Sequence, residues 1–174
     1  MPRNLELKAR CSSLASASVT ARSLCGRKKA ILRQTDTYFG LPEGRLKLRE
    51  IAGRKSELIW YHRPDKAGVR LSRYVIVPVA NPNQICSLFG KLFGTLVRVQ
   101  KERHLYLFRN ARIHLDRVKG LGEFIEFEVV IRKGLSQAKD LMSFLRSEFR
   151  IRRNELRSSS YSNLLLNRSS RTRS

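Results

Sequence analysis

A chain of 174 residues suits one domain and can bury about two thirds of the surface its unfolded form exposes. Its 36 Lys and Arg against 14 Asp and Glu give a formal charge of +22, which points to a polyanionic partner such as nucleotide, polyphosphate, nucleic acid or an anionic membrane. Cys11, Cys25 and Cys86 are too few and too scattered for a disulfide framework or a zinc site, and no apolar run approaches the roughly 20 residues of a membrane span, so a cytoplasmic protein without a membrane segment is predicted.

In chain order, residues 3–10 alternate polar and apolar as a strand. Residues 12–25 read as a helix ending at Gly26, and Ile31 to Phe39 as a strand. Gly40-Leu41-Pro42-Glu43-Gly44 is a turn by composition. Strands are predicted over 45–51, 57–63 and 71–79, then a helix over 83–93 started by Asn81-Pro82 and closed by Gly94. Three further strands follow over 95–109, 111–118 and 122–131, then a helix from Leu135 to Phe149. Tyr161 to Leu166 reads as a last short helix. The Arg- and Ser-rich tail 167–174 is predicted to be disordered, leaving 1–166 as the folded domain.

Four of the strands put charge on one face and apolar groups on the other: Glu6-Leu7-Lys8, Arg45-Leu46-Lys47-Leu48-Arg49, Arg112-Ile113-His114-Leu115-Asp116 and Phe124-Ile125-Glu126-Phe127-Glu128. Alternating strands ordinarily turn their charges to water. Here, however, the basic residues cluster by strand (Arg45, Lys47 and Arg49; Lys101 and Arg103), whereas a solvated face would mix signs. Glu126 and Glu128 sit two apart in an otherwise apolar strand, an unfavourable pair without a cation between them. The predicted fold is therefore α+β, mainly β: an eight-stranded antiparallel tunnel, a closed barrel with a charged interior, an apolar outer wall and helices packed outside.

These segments, in their order and spacing, resemble the CYTH superfamily of triphosphate tunnel metalloenzymes, which includes class IV adenylyl cyclases, thiamine triphosphatases and inorganic triphosphatases. The resemblance runs from Leu5 to about Leu166 and is carried also by Asp36-Thr37-Tyr38-Phe39, Tyr61-His62-Arg63-Pro64, Lys101-Glu102-Arg103, Gly120-Leu121-Gly122 and Ser160-Tyr161. The family's opening strand has the form Glu-x-Glu-x-Lys; here the first acid is an amide, Asn4.

The resemblance implies Mg²⁺ or Mn²⁺ held by Glu6, Glu126 and Glu128 with Asp116 nearby. It implies a triphosphate (ATP, thiamine triphosphate or tripolyphosphate) gripped by Lys8, Arg45, Lys47, Arg49, Arg63, Arg73, Lys101, Arg103 and Arg112. Glu6, Lys8, Arg63 and Arg112 are expected closest to the chemistry. The implied activity is metal-dependent triphosphate hydrolysis. The alternatives are a class IV adenylyl cyclase making cyclic AMP and pyrophosphate from ATP, or a non-catalytic polyphosphate- or nucleic-acid-binding protein whose basic exterior takes a polyanion. A monomer or homodimer is expected. Of the remaining residues, His114 reads as a structural hydrogen-bonding group, Tyr38 and Tyr61 as packing residues and Glu123 as a turn residue. Asp36 reads equally as an orienter of basic side chains and as a turn-adjacent structural group.

Overall fold

The computed structural model describes residues 3–65, 67–132 and 134–171. Eight strands are present: β1 (Arg3–Arg10), β2 (Ala30–Phe39), β3 (Arg45–Ile51), β4 (Ser56–His62), β5 (Arg70–Val79), β6 (Thr95–Phe108), β7 (Ala111–Val118) and β8 (Gly122–Val130). Four helices accompany them: α1 (Leu14–Cys25), α2 (Pro82–Phe93), α3 (Leu135–Glu148) and α4 (Tyr161–Arg171). The strands form a closed barrel in the order β1-β5-β4-β3-β2-β6-β7-β8, and β8 returns to β1. Every pairing is antiparallel. Closure leaves no sheet edge to protect.

Local chemistry fixes the connections. Ser13 caps α1 by accepting from the Ser16 amide, and Asn81 caps α2 by accepting from the Gln84 amide, with Pro82 in the first turn. Gly44 enters β3 with φ of 75°, and a Cβ there would meet Trp60 Nε1 at 2.7 Å, so no other residue fits.

The outer wall is apolar. Leu5, Leu7 and Ala9 of β1, Ile113 and Leu115 of β7, and Ile125, Phe127 and Val129 of β8 form one buried layer. Against it pack Leu14, Ala17 and Ala21 of α1 and Ala138, Leu141, Met142 and Leu145 of α3. A second layer joins Phe39, Leu46 and Leu48 to Ile85, Cys86 and Phe89 of α2. Each fully buried Leu or Phe contributes about 1.5–3 kcal/mol. The ionic residues between these positions have nowhere to go but inward.

Directly opposed residues on antiparallel strands share a face. One inward row therefore runs Lys8–Glu126–His114 across β1, β8 and β7. The next runs Arg70–Glu6–Glu128–Arg112 across β5, β1, β8 and β7. On the other side, Asp36 opposes Arg49 and Tyr38 opposes Lys47.

The C-terminal tail differs from the sequence expectation. Helix α4 continues through Asn167 to Arg171, and Ser169 and Ser170 hydroxyls donate to the Leu165 and Leu166 carbonyls at 3.1 and 3.0 Å. These back-bonds let serines sit in a helix that composition alone does not announce. Residues 172–174 of the expected tail lie outside the described residues. Among the described residues, no helix is long and apolar enough to cross a membrane.

Candidate functional site

The barrel encloses a cavity of about 330 Å³ lined by side chains from every strand. This is at the lower end of the range for small-molecule sites, about 300–1,000 Å³. The lining includes Glu6, Lys8, Lys47, Arg49, Arg63, Lys101, Arg103, Arg112, Glu126 and Glu128, so most of the expected site residues meet in one space.

Its cationic side is organised by Asp36, which is fully buried. Asp36 Oδ2 accepts from Lys101 Nζ at 2.7 Å and Lys47 Nζ at 3.1 Å, while Oδ1 accepts from Arg49 Nε at 2.9 Å. Burial works against this carboxylate's charge, but the Arg49, Lys101 and Lys47 cations hold it well below the usual range. Of the two roles open to Asp36, the structure selects the orienter of bases. Burial pushes the Lys101 ammonium down to about 7 and that of Lys8 to about 8. Lys8 Nζ also lies 3.6 Å from the centre of the Tyr161 ring and 3.4 Å from Glu126 Oε1.

The anionic side lies across β1, β8 and β7. Glu126 Oε2 accepts from Arg103 at 2.7 Å, and Glu128 Oε2 is 2.9 Å from Arg112 Nε. Burial opposes both charges, yet Lys8, His114 and Arg103 hold Glu126 well below the usual range, and His114 and then Arg112 hold Glu128 down. Glu6 behaves differently. Burial, and then the Glu128 charge, raise its carboxyl above the ordinary value, while Arg63 at 3.4 Å only partly compensates. Like carboxylates crowded together push one of their number toward neutrality. His114, Glu126 and Glu128 each offer a ligand atom, all within 4.8 Å of one another, a donor set that could hold a divalent ion.

Buried donors without partners show what else the cavity suits. Arg63 Nη1 in the cavity wall, and Arg70 Nε and Nη2 beyond the lining, are sealed from solvent and have no hydrogen-bond partner. An orphaned buried donor costs about 1–3 kcal/mol, more when charged, and an anion beside it removes that cost. The residues present thus fit both a polyphosphate and a cation.

Three expected residues stand elsewhere. Arg73 points outward, exposed, opposite His62 and Arg3, because the β5 residues that line the cavity are Ser72, Tyr74 and Ile76, with Arg70 on the same face. A shift of one position along a strand reverses the face. Arg45 shares the inward face but sits at the barrel rim, ion-paired with Asp65 rather than lining the cavity. Asp116 is fully buried but committed: it accepts from Arg103 Nε and Nη2 at 2.7 and 2.6 Å and from the Tyr161 hydroxyl at 2.9 Å. It positions Arg103 and stands apart from the candidate metal ligands. Sequence reasoning missed Arg54, Arg70 and Tyr74, all near or in the cavity wall, and the period-two series Arg70, Ser72, Tyr74 was the available signal for two of them.

This arrangement has a counterpart in sequence. The family model for the CYTH domain matches residues 2–156. The chain belongs to the CYTH domain family. Solved structures share this architecture. The PH1012 protein of Pyrococcus horikoshii OT3 superposes with a TM-score of 0.82 at 24% identity, covering 92% of this chain and 98% of that one. A conserved hypothetical protein of Pyrococcus furiosus gives 0.81 at 19% identity, covering 92% and 99%. A candidate adenylate cyclase of Vibrio parahaemolyticus gives 0.73 at 16% identity, covering 93% and 97%. At these identities the likeness is one of fold. Among curated proteins none matches the sequence.

Proposed function

We propose that this CYTH domain is a divalent-metal-dependent triphosphatase, binding an inorganic or organic triphosphate in the barrel and releasing its terminal phosphate. The observation that carries this reading is the barrel cavity in which Lys47, Arg49, Lys101, Arg63 and Arg103 face the Glu126–Glu128 pair. Arg side chains bind phosphate oxygens bidentately, and burial strengthens such contacts. Glu126 and Glu128, with Glu6 alongside, are the residues to hold Mg²⁺ or Mn²⁺, and the bound ion would offset charge on the phosphate oxygens. Asp36 and Asp116 keep the bases aimed inward.

The test is Mg²⁺-dependent release of phosphate from tripolyphosphate and from ATP. Cyclic AMP with pyrophosphate from ATP would make the protein a cyclase, the chemistry its Vibrio likeness is described by. Tripolyphosphate bound but never turned over, with any metal, would leave a binding protein. Hydrolysis is preferred because an attacking water needs no oriented ribose.

Two predictions follow from positions within the wall. Arg63→Ala, which removes a buried guanidinium from the cavity, is expected to weaken tripolyphosphate binding by about 10-fold or more, since hydrogen bonds to charged groups contribute about 1.5–3 kcal/mol. Arg73→Ala, on the outside, is expected to leave titration calorimetry unchanged, and equal losses in both would contradict the inward placement.

Protonation gives the other. An entering polyanion restores the charge that burial takes from Lys101 and Lys8, so binding at pH 8 takes up protons. Affinity then falls as pH rises from about 7 towards the ordinary lysine value of 10.5. The empty protein shows the opposite slope in stability. Over that window it binds fewer protons than the unfolded chain, so it gains stability as pH rises. Calorimetry in buffers of different ionisation enthalpy reads the uptake directly, and a buffer-independent heat would refute it.

A further inference from the structure

His114 lies on β7 directly opposite Glu126, one step along the barrel from the Arg112–Glu128 pair. Its ring is buried and its Nδ1 makes no hydrogen bond. That nitrogen faces Glu128 Oε1 at 3.7 Å and Glu126 Oε2 at 3.9 Å, beyond hydrogen-bond distance of either. A buried nitrogen beside two carboxylates is a mixed nitrogen and oxygen donor set, of the kind that suits a transition-metal ion. Ligand atoms around one ion, each about 2.0–2.2 Å from it, lie at most about 4.4 Å apart. The three atoms here already fall within 4.8 Å of one another, so small side-chain rotations would close the shell.

We infer that His114 Nδ1 is a ligand of the divalent ion, and that this nitrogen makes the site prefer Mn²⁺ and later first-row ions to Mg²⁺. The inference rests on the reading of the tunnel as a metal-dependent site and specifies its metal. Magnesium favours oxygen donors and keeps much of its water, whereas imidazole suits transition ions. Asn4, buried in the same wall where the family pattern has an acid, removes one anionic oxygen and leaves the nitrogen a larger share of the donor set. His114 is therefore more than the structural hydrogen-bonding group that its sequence context suggests.

The probe is the metal alone, with no phosphate present. Wild-type protein loaded with Mn²⁺ is expected to show imidazole nitrogen coupling in electron spin-echo spectra. Titration calorimetry is expected to give Mn²⁺ binding about 10-fold or more tighter than Mg²⁺. In His114→Asn, which offers an amide oxygen instead, the coupling should vanish. Mn²⁺ affinity should fall by about 10-fold or more, since even outer partners of metal ligands are worth about 10–100-fold, while Mg²⁺ affinity should hold within about twofold. Mn²⁺ bound to wild-type protein without nitrogen coupling, or equal losses for both ions in the variant, would overturn the inference. The wild-type spectrum decides the matter even if the variant fails to fold. Tripolyphosphate hydrolysis, measured separately, keeps the two readings apart. Turnover without nitrogen coupling sinks this inference alone, and coupling without turnover sinks the triphosphatase alone.

Discussion

Glu128→Gln is expected to lower Mg²⁺- or Mn²⁺-dependent phosphate release from tripolyphosphate by about 100-fold or more, and to leave the fold intact. Glu128 is paired with Arg112, itself partly exposed, so losing the charge strands no deeply buried cation. What is lost is an anionic oxygen of the candidate metal shell, where even outer partners are worth about 10–100-fold. The same change removes a negative charge from a cavity meant for an anion. Metal-free tripolyphosphate binding should therefore be unchanged or tighter. That split between turnover and metal-free affinity separates a metal ligand from a mere wall residue. Glu126→Gln should share the loss of turnover but also lower the melting temperature, because Lys8 and Arg103 both depend on that carboxylate. Unchanged turnover in both variants would remove the metal assignment.

Asp36→Asn is expected to be the most damaging single substitution to stability. It leaves Lys47, Arg49 and Lys101 around a neutral amide, and breaking one side of a buried ion pair costs about 3–5 kcal/mol. For a chain of this size each kcal/mol shifts the melting temperature by about 2–4 °C, so a fall of about 6–20 °C is expected by calorimetric scanning. The defect carries its own remedy. Tripolyphosphate brings negative charge to the same three bases, so saturating ligand should raise the melting temperature of the variant more than that of the wild type. An equal rise in both proteins would mean that the bound anion does not contact these bases.

Much of this barrel can be read from residue order because the segments 45–49 of β3, 112–116 of β7 and 125–129 of β8 alternate strictly. Once Leu46 and Leu48 must face a helix, Lys47 and Arg49 must face the lumen. Strand β5 resists the same reading. Its outward series Leu71, Arg73, Val75 and its inward series Arg70, Ser72, Tyr74 both mix charge with apolar or small groups, and nothing local says which side is in. Periodicity also assigns a face without a partner. Asp116 does point inward, but only the pairing of β6 with β7, which sets it opposite Arg103, commits it to that guanidinium. His114 needed the third strand as well, since its meaning depends on Glu126 and Glu128 arriving beside it.

The ring of strands has one evolutionary consequence. With an ionic lining and an oily jacket, a single inserted residue in β3 would carry Lys47 and Arg49 under α2 and thrust Leu48 into the lumen. The barrel takes up such a slip as a bulge, as β6 does with one extra residue opposite the Tyr38–Phe39 step of β2. Lineages descended from this gene are thus free to vary the length of its connections, while a stave gains a lone residue at the cost of bulging.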